Sequence, residues 1–279
     1  MKRFLLFCQF MFVVIILHAT GQTGDIIYID GARWELLGRP VCLDSALYYG
    51  LKAVLPEKRS INTSNWDGFT SYWSIQQDLL YLDSIKCEHY DPITNSMLGE
   101  RISSDKLLKV FNKYVDRGRI VARWLSREIR VAAGKKIYYQ HIGFERNYEE
   151  EIIISIDKGK VTGWKEFHNF VVDGYSFEKI NSKNKREELQ ELFPLHIEQY
   201  PELACAERIV FYIKRAKVDA QGNLVECEVE VKSPNDNPRL AAEMAELMKA
   251  YHPWKVLFIN GEYRADGIEG WTVPYLLDE

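Results

Sequence analysis

The last third of the chain, Glu207 to Leu277, constrains the fold more than any other stretch. Ile209, Phe211 and Ile213 alternate with polar neighbours, the period of a strand with one buried face. Asp219 to Asn223, with Gly222, supplies a turn, and Leu224, Val229 and Val231 belong to the returning strand. Glu226, Glu228 and Glu230 fall on its solvent side, where they read as a charged face that keeps the sheet soluble; a metal or a basic partner is the sharper alternative. Asn237 then stands at a helix N-cap, with Pro238 at the first helical position, where a missing N–H costs nothing. Leu240, Met244, Leu247, Met248 and Tyr251 recur on one stripe, so this helix must cover a sheet, with its methionines as core filling. Pro253 forbids continuation. Trp254 to Ile259 is extended, Asn260-Gly261 is a strong two-residue hairpin signal, and Gly270 to Leu276 is expected to return as the last strand. Pro274 cannot donate to a ladder, which places that strand at an edge or at a bulge.

The start of the chain sets an expected address. Met1 to Arg3 carry two positive charges, Phe4 to Leu17 is nearly all apolar, and Ala19-Thr20-Gly21 offers the small residues a signal peptidase reads. The apolar run contains Gln9 and falls short of the ~20 residues of a comfortable membrane span. The expectation is a signal peptide over residues 1–21 and an exported chain, periplasmic or outer-membrane-associated, that meets the membrane only if this segment stays uncleaved. Cys8 has no lipid-attachment box around it. A formal net charge of -4 argues against a general binder of nucleic acid or anionic membranes, which needs clustered Lys and Arg.

Cys42, Cys87, Cys205 and Cys227 follow the signal, and export permits disulfides. Cys42 with Cys87 and Cys205 with Cys227 is the domain-wise pairing. A turn centred near Gln221-Gly222, however, sets position 227 against roughly 216 rather than 205, so reduced, buried thiols stand beside the disulfide reading. No CxxC or His–Cys spacing points to zinc, and no metal or cofactor is expected.

Residues 24–182 read as a mostly antiparallel, β-rich α+β domain with one or two helices. Ile26 to Leu37 forms a hairpin on Asp30-Gly31. Asp44 or Ser45 caps a short helix ending before Pro56, and Trp66 to Ile85 is a second strand pair turning at Gln77-Asp78. Pro92 and Thr94-Asn95-Ser96 mark a loop, and Ser104 starts a helix that Gly118 ends. Arg119 to Val131 is a strand that Gly134 separates from Ile137 to Ile142, and Glu151 to Ile156 ends at the Lys158-Gly159 turn. The segment Trp66-Asp67-Gly68-Phe69, the run from Ile75 through Asp78-Leu79-Leu80-Tyr81-Leu82, and Gly134 through Tyr139-Gln140-His141-Ile142-Gly143-Phe144 to Tyr148-Glu149 resemble a group of exported bacterial proteins that carries no assigned function.

Chemistry in this half is sparse. His141 and Glu145 sit four apart in a strand-like context, too far for one ligand set. Glu149-Glu150-Glu151 reads as a solvated strand entry rather than a cation site. Tyr138, Tyr139, Tyr148, Trp124 and Trp164 either cover a core or line a sugar- or peptide-binding face. Asp44-Ser45-Ala46 and Asp83-Ser84-Ile85 fit a short O-glycosylation pattern that chance supplies about as often.

A Lys-, Asn- and Glu-rich stretch from Ser182 to Glu188 suggests a linker, with the second domain over residues 183–279. Val218-Asp219-Ala220-Gln221-Gly222-Asn223-Leu224-Val225, the helix Leu240 to Tyr251, Pro253-Trp254, Asn260-Gly261 and Val273-Pro274-Tyr275 resemble, in order and spacing, the C-terminal domain of TonB-type energy transducers. The resemblance implies a small two-layer sheet-plus-helix domain that binds extended peptides by strand addition. Trp271, Val273 and Tyr275 are the expected edge-strand binding residues, and the partner an envelope protein or extended peptide. A transducer also has a long Pro-rich spacer, where this chain scatters only nine prolines and places a globular domain. The expected function is therefore a non-enzymatic, exported binding protein rather than a complete transducer. Nucleophile-elbow, metal-helix and phosphate-loop motifs are all lacking. The alternatives are a carbohydrate-binding protein or hydrolase using the aromatic-rich first domain, and a structural envelope component.

Overall fold

The computed structural model describes residues 20–179 and 185–277. Residues 1–19, with the apolar run of the expected signal and Cys8, lie outside the described residues. Among the described residues antiparallel strand pairs dominate and four α-helices accompany them, the α+β class expected. No helix among them is long and apolar enough to cross a membrane. The chain forms two compact units, one ending at Glu166 and one beginning at Phe167.

The first unit contains β1 (Asp25–Ile29), β2 (Ala32–Leu36), α1 (Ser45–Lys52), β3 (Phe69–Gln76), β4 (Leu79–Asp91), β5 (Ser96–Arg101), α2 (Ser104–Val110), β6 (Val115–Asp116), β7 (Arg119–Val121), β8 (Arg127–Tyr139), β9 (Arg146–Asp157) and β10 (Lys160–His168). The turns read from sequence are present: Asp30-Gly31, Gln77-Asp78 and Lys158-Gly159 all take positive φ, as tight hairpins between right-twisted strands require. Asp44 caps α1 by accepting the Leu47 N–H at 3.0 Å. Seven strands pair in the order β10-β9-β8-β2-β1-β3-β4, and β10 meets β4 again at Lys160 and Leu79, so the sheet closes on itself. β1 and β3 pair in parallel, and the other pairings of the ring are antiparallel. Trp73, Leu80, Ile85, Val131 and Ile154 fill one core.

Three expectations change. The loop at Pro92 is the tip of a hairpin, because β4 runs on to Asp91 and pairs with β5. The helix from Ser104 ends at Val110, and Gly118, with Arg117, turns β6 into β7 instead. The strand from Arg119 breaks after Val121, where the Leu125 N–H turns back to Ala122 O, and resumes as β8; Gly134 lies inside β8 at φ 80°, next to a register shift. A glycine there bends a strand without ending it.

The second unit contains β11 (Phe170–Val172), α3 (Lys185–Leu192), β12 (Arg208–Val218), β13 (Leu224–Ser233), α4 (Pro238–Ala250), β14 (Val256–Ile259), β15 (Glu262–Ala265) and β16 (Thr272–Leu276). It begins earlier than the composition shift suggests, because β11 pairs with β14 and Phe177 joins the core; the polar stretch only leads into α3. There are two three-stranded sheets, β11-β14-β15 and β13-β12-β16. Asn260-Gly261 closes the β14–β15 hairpin, so the returning strand expected after it is β15, and β16 pairs with β12. Asn237 caps α4 through the Leu240 N–H at 3.1 Å, and Met244 and Met248 are fully buried. Trp254 is the hub: its ring stacks on Phe193 at 5.9 Å and its Nε1 donates to Met248 O at 2.9 Å. Gly222 accepts the Trp254 N–H at 2.9 Å and has φ 84°, and a Cβ there would lie 2.7 Å from Trp254 O, so both turn and packing demand glycine.

Candidate functional site

Strand addition needs a free row of backbone donors and acceptors, so the two rims of the β13-β12-β16 sheet decide what this unit can bind. β16 is the terminal strand on one side, as Pro274 implied. The Ile213 N–H donates to Trp271 O at 2.9 Å and the Leu277 N–H to Glu207 O at 3.0 Å. By strand alternation, Trp271, Val273 and Tyr275 turn their backbone toward β12, and Thr272, Pro274 and Leu276 turn theirs outward. Val273 and Tyr275 are also buried as side chains: Tyr275 sits edge-on to Phe211, and its Oη donates to Phe193 O at 3.0 Å. Trp271 is half-buried against the same core. The three residues named from sequence are thus brought together as sheet and core members. On the outward rim Pro274 removes the middle donor, and Gln190 Nε2 from α3 already occupies the Leu276 carbonyl at 3.1 Å. That rim is blunted.

The β13 rim is different. Ile213 commits its N–H to Trp271 O and its carbonyl to the Gly270 N–H, both on the β16 side. Its neighbour on β13, Val229, therefore directs its backbone groups away from β12. The same parity holds for Val231, opposite Phe211, and for Cys227, opposite Ala216, whose N–H donates to Glu269 Oε2 at 3.0 Å. Among the described residues no further strand pairs with β13. Beside this open rim lies a groove of about 810 Å³, walled on its far side by α4. Ala241 and Ala245, one helical turn apart, bring α4 close without filling the space, and Glu246 and Lys249 stand at its lip. The volume falls in the range of ligand-binding clefts, roughly 300–1,000 Å³.

Electrostatics on the outer face of β13 are built from exposed pairs. Lys214 lies 2.6 Å from Glu228 and 3.6 Å from Glu230, while Glu226 meets Lys217 at 2.7 Å and Arg215 at 3.1 Å. Lys217 and Arg215 hold the Glu226 carboxyl below its usual range, and Lys232 does the same for Glu230. Burial pushes the Cys227 thiol up to about 11, which leaves it protonated and unreactive at neutral pH.

The other candidates are dispersed. His141 lies 2.9 Å from Tyr139 Oη in the exposed β8–β9 turn, and no group of three or more metal-ligating side chains occurs among the described residues. Trp124 packs on Trp73, Phe111 and Tyr114 as core, and Tyr148 donates to Glu35 at 2.6 Å. Tyr138 is half-buried, and of the five aromatics only Tyr139 and Trp164 are exposed. Glu151 is buried and accepts from Tyr148 N–H and Asn147 Nδ2, a strand-entry clasp rather than a solvated run. Ser84 is buried, which removes one of the two glycosylation patterns from the surface. All four described cysteines are free thiols, and Cys227 faces Ala216 as the turn position required.

The open rim was missed from sequence because Glu226, Glu228 and Glu230 identify a solvent face, not a free edge. The available signal was the Ala241/Ala245 spacing along one flank of the Leu240–Met244–Met248 stripe: small residues there widen the buried face and mark a close neighbour. Comparison with protein-family models, curated proteins and solved structures finds no match for the chain.

Proposed function

We propose that the chain is an exported, non-enzymatic envelope protein whose second unit binds an extended segment of a partner by strand addition at β13. One observation carries this reading: the backbone groups of Cys227, Val229 and Val231 face an open groove backed by α4. Peptides that complete a sheet gain affinity from main-chain hydrogen bonds and specificity from alternate side chains. The resemblance to TonB-type C-terminal domains supports the same mode of binding, and the arrangement of hairpin, capped helix and final strand beside β12 fits it. The reading departs from the expectation in place, from the Trp271–Tyr275 rim to the opposite one.

The test is selection from a displayed library of random ten-residue peptides, followed by amide hydrogen exchange on the full chain. Selected peptides are expected to slow exchange at Cys227, Val229 and Val231. Val229→Pro is expected to abolish their binding, since its N–H bonds nothing within the sheet and its loss leaves the β12 ladder intact. Peptides that bind equally well to Val229→Pro, or that leave these three amides unprotected, would overturn the reading.

A further inference from the structure

We infer that the segment taken up at β13 alternates Lys or Arg with aliphatic residues, an inference that rests on the strand-addition reading. A strand laid along β13 places successive side chains on opposite faces of the extended sheet. One set falls beside Glu226, Glu228 and Glu230; the other points over Val229 toward Ala241 and Ala245 of α4. On the first face, cross-strand neighbours of a glutamate row are favoured when basic and disfavoured when acidic. The carboxylates already touch Lys214, Arg215, Lys217 and Lys232, but these pairs are solvent-exposed, and exposed ion pairs contribute little that an incoming base must displace. The groove itself lines four acidic side chains, Glu228, Glu230, Asp236 and Glu246, against two basic ones, Lys232 and Lys249. On the second face the alanines are already buried, and it is the half-exposed Cys227 and Val229 beside them that an aliphatic side chain would cover.

The same charges argue against a second copy of this chain as the occupant. Antiparallel self-pairing centred on Val229 sets Glu228 against Glu230 of the other copy, twice, at the middle of the pairing, with the opposite-charge Glu226–Lys232 pairs only towards its ends. Centring on Val231 escapes this by pairing Glu230 with Lys232, but β13 ends at Ser233, so only Val229 to Ser233 would join. Like charges on an edge strand are a known guard against such pairing.

The experiment uses three fluorescent ten-residue peptides, alternating Lys–Val, Thr–Val and Glu–Val, titrated onto the full chain by fluorescence polarisation. Lys–Val is expected to bind about tenfold more tightly than Thr–Val at 50 mM salt, and Glu–Val more weakly than either. The Lys–Val advantage is expected to shrink at 500 mM salt, where the screening length falls to a few ångströms, about 4 Å. The doubly neutralised Glu228→Gln, Glu230→Gln chain is expected to lose most of it. If all three peptides bind alike and protect the Val229 amide, the charge inference fails while strand addition stands. If none binds and no amide is protected, strand addition itself fails. Concentration-dependent dimerisation that protects the same amides would assign the rim to a second copy and overturn the inference.

Discussion

The large sheet of the first unit and the β13-β12-β16 sheet of the second treat their edges in opposite ways. In the first, the β3–β4 and β9–β10 turns meet: Leu80 N–H donates to Gly159 O at 2.9 Å and Val161 N–H to Asp78 O at 2.8 Å, and the ring of strands consumes its own rims. Among the described residues only β5 and the short β7–β6 pair extend beyond it, both from β4. In the second, three strands cannot close. One rim is blunted by Pro274 and Gln190, and the other stays open beside a groove. Closure builds a stable core and leaves little backbone to offer, whereas an unclosed sheet must either mask its edges or use them.

The contrast can be tested from the largest effect downward. Trp254→Ala removes the aromatic hub on which Phe193, Tyr251 and Phe177 pack, and should destabilise the second unit by about 3–5 kcal/mol. Denaturant unfolding followed by hydrogen exchange in β12 and β13 measures it; a loss below 1 kcal/mol would show that the open sheet does not depend on that hub. In the closed unit, Asp25 is fully buried and accepts from Ser71 N–H and Trp73 Nε1, both at 3.0 Å. Burial pushes its carboxyl up to about 6, above the 3.8 of an exposed aspartate. The folded state therefore holds this proton more tightly than the unfolded chain. The contribution of Asp25 is fully present below pH 4 and declines as pH rises to about 6, by about 3 kcal/mol at ~1.4 kcal/mol per pKa unit. Unfolding curves at pH 4, 5, 6 and 7 should differ between the chain and Asp25→Asn by this share of the slope, the buried Glu151 and the other carboxylates contributing equally to both; an identical slope would sink the assignment.

Smaller effects separate the two rims. Asn237→Ala deletes the cap of α4 and should cost about 1 kcal/mol. It should also weaken peptide binding at β13, since α4 is the far wall of the groove, and calorimetric titration of a selected peptide reports both numbers. Gln190→Ala frees the Leu276 carbonyl at a cost of about 0.5–1 kcal/mol. Peptide affinity should stay unchanged, because the Pro274 gap keeps the β16 rim discontinuous; a gain in affinity with new protection at Thr272 would show that the side chain alone had been masking it.

Local chemistry was legible in the amino-acid sequence wherever a single residue type forces a backbone state. Asp30-Gly31, Gln77-Asp78, Lys158-Gly159 and Asn260-Gly261 turn as expected, Asn237-Pro238 starts its helix, and the alternation of Ile209, Phe211 and Ile213 buries one face. Pairing was not legible, because hydrogen bonds between strands are identical backbone groups that carry no label of their partner. Hence the Asn260-Gly261 turn was read correctly and its second strand was not: β15 follows it, while Thr272 to Leu276 crosses to β12. The same reason hid the binding rim. Glu226, Glu228 and Glu230 declare a solvent face in any register, whereas the outward direction of Val229 follows only once Ile213 is seen to spend both its backbone groups on β16. Sequence determined the elements and the faces of this protein; which edge remained open was decided by tertiary pairing, through Pro274 and Gln190 on one side and the two alanines of α4 on the other.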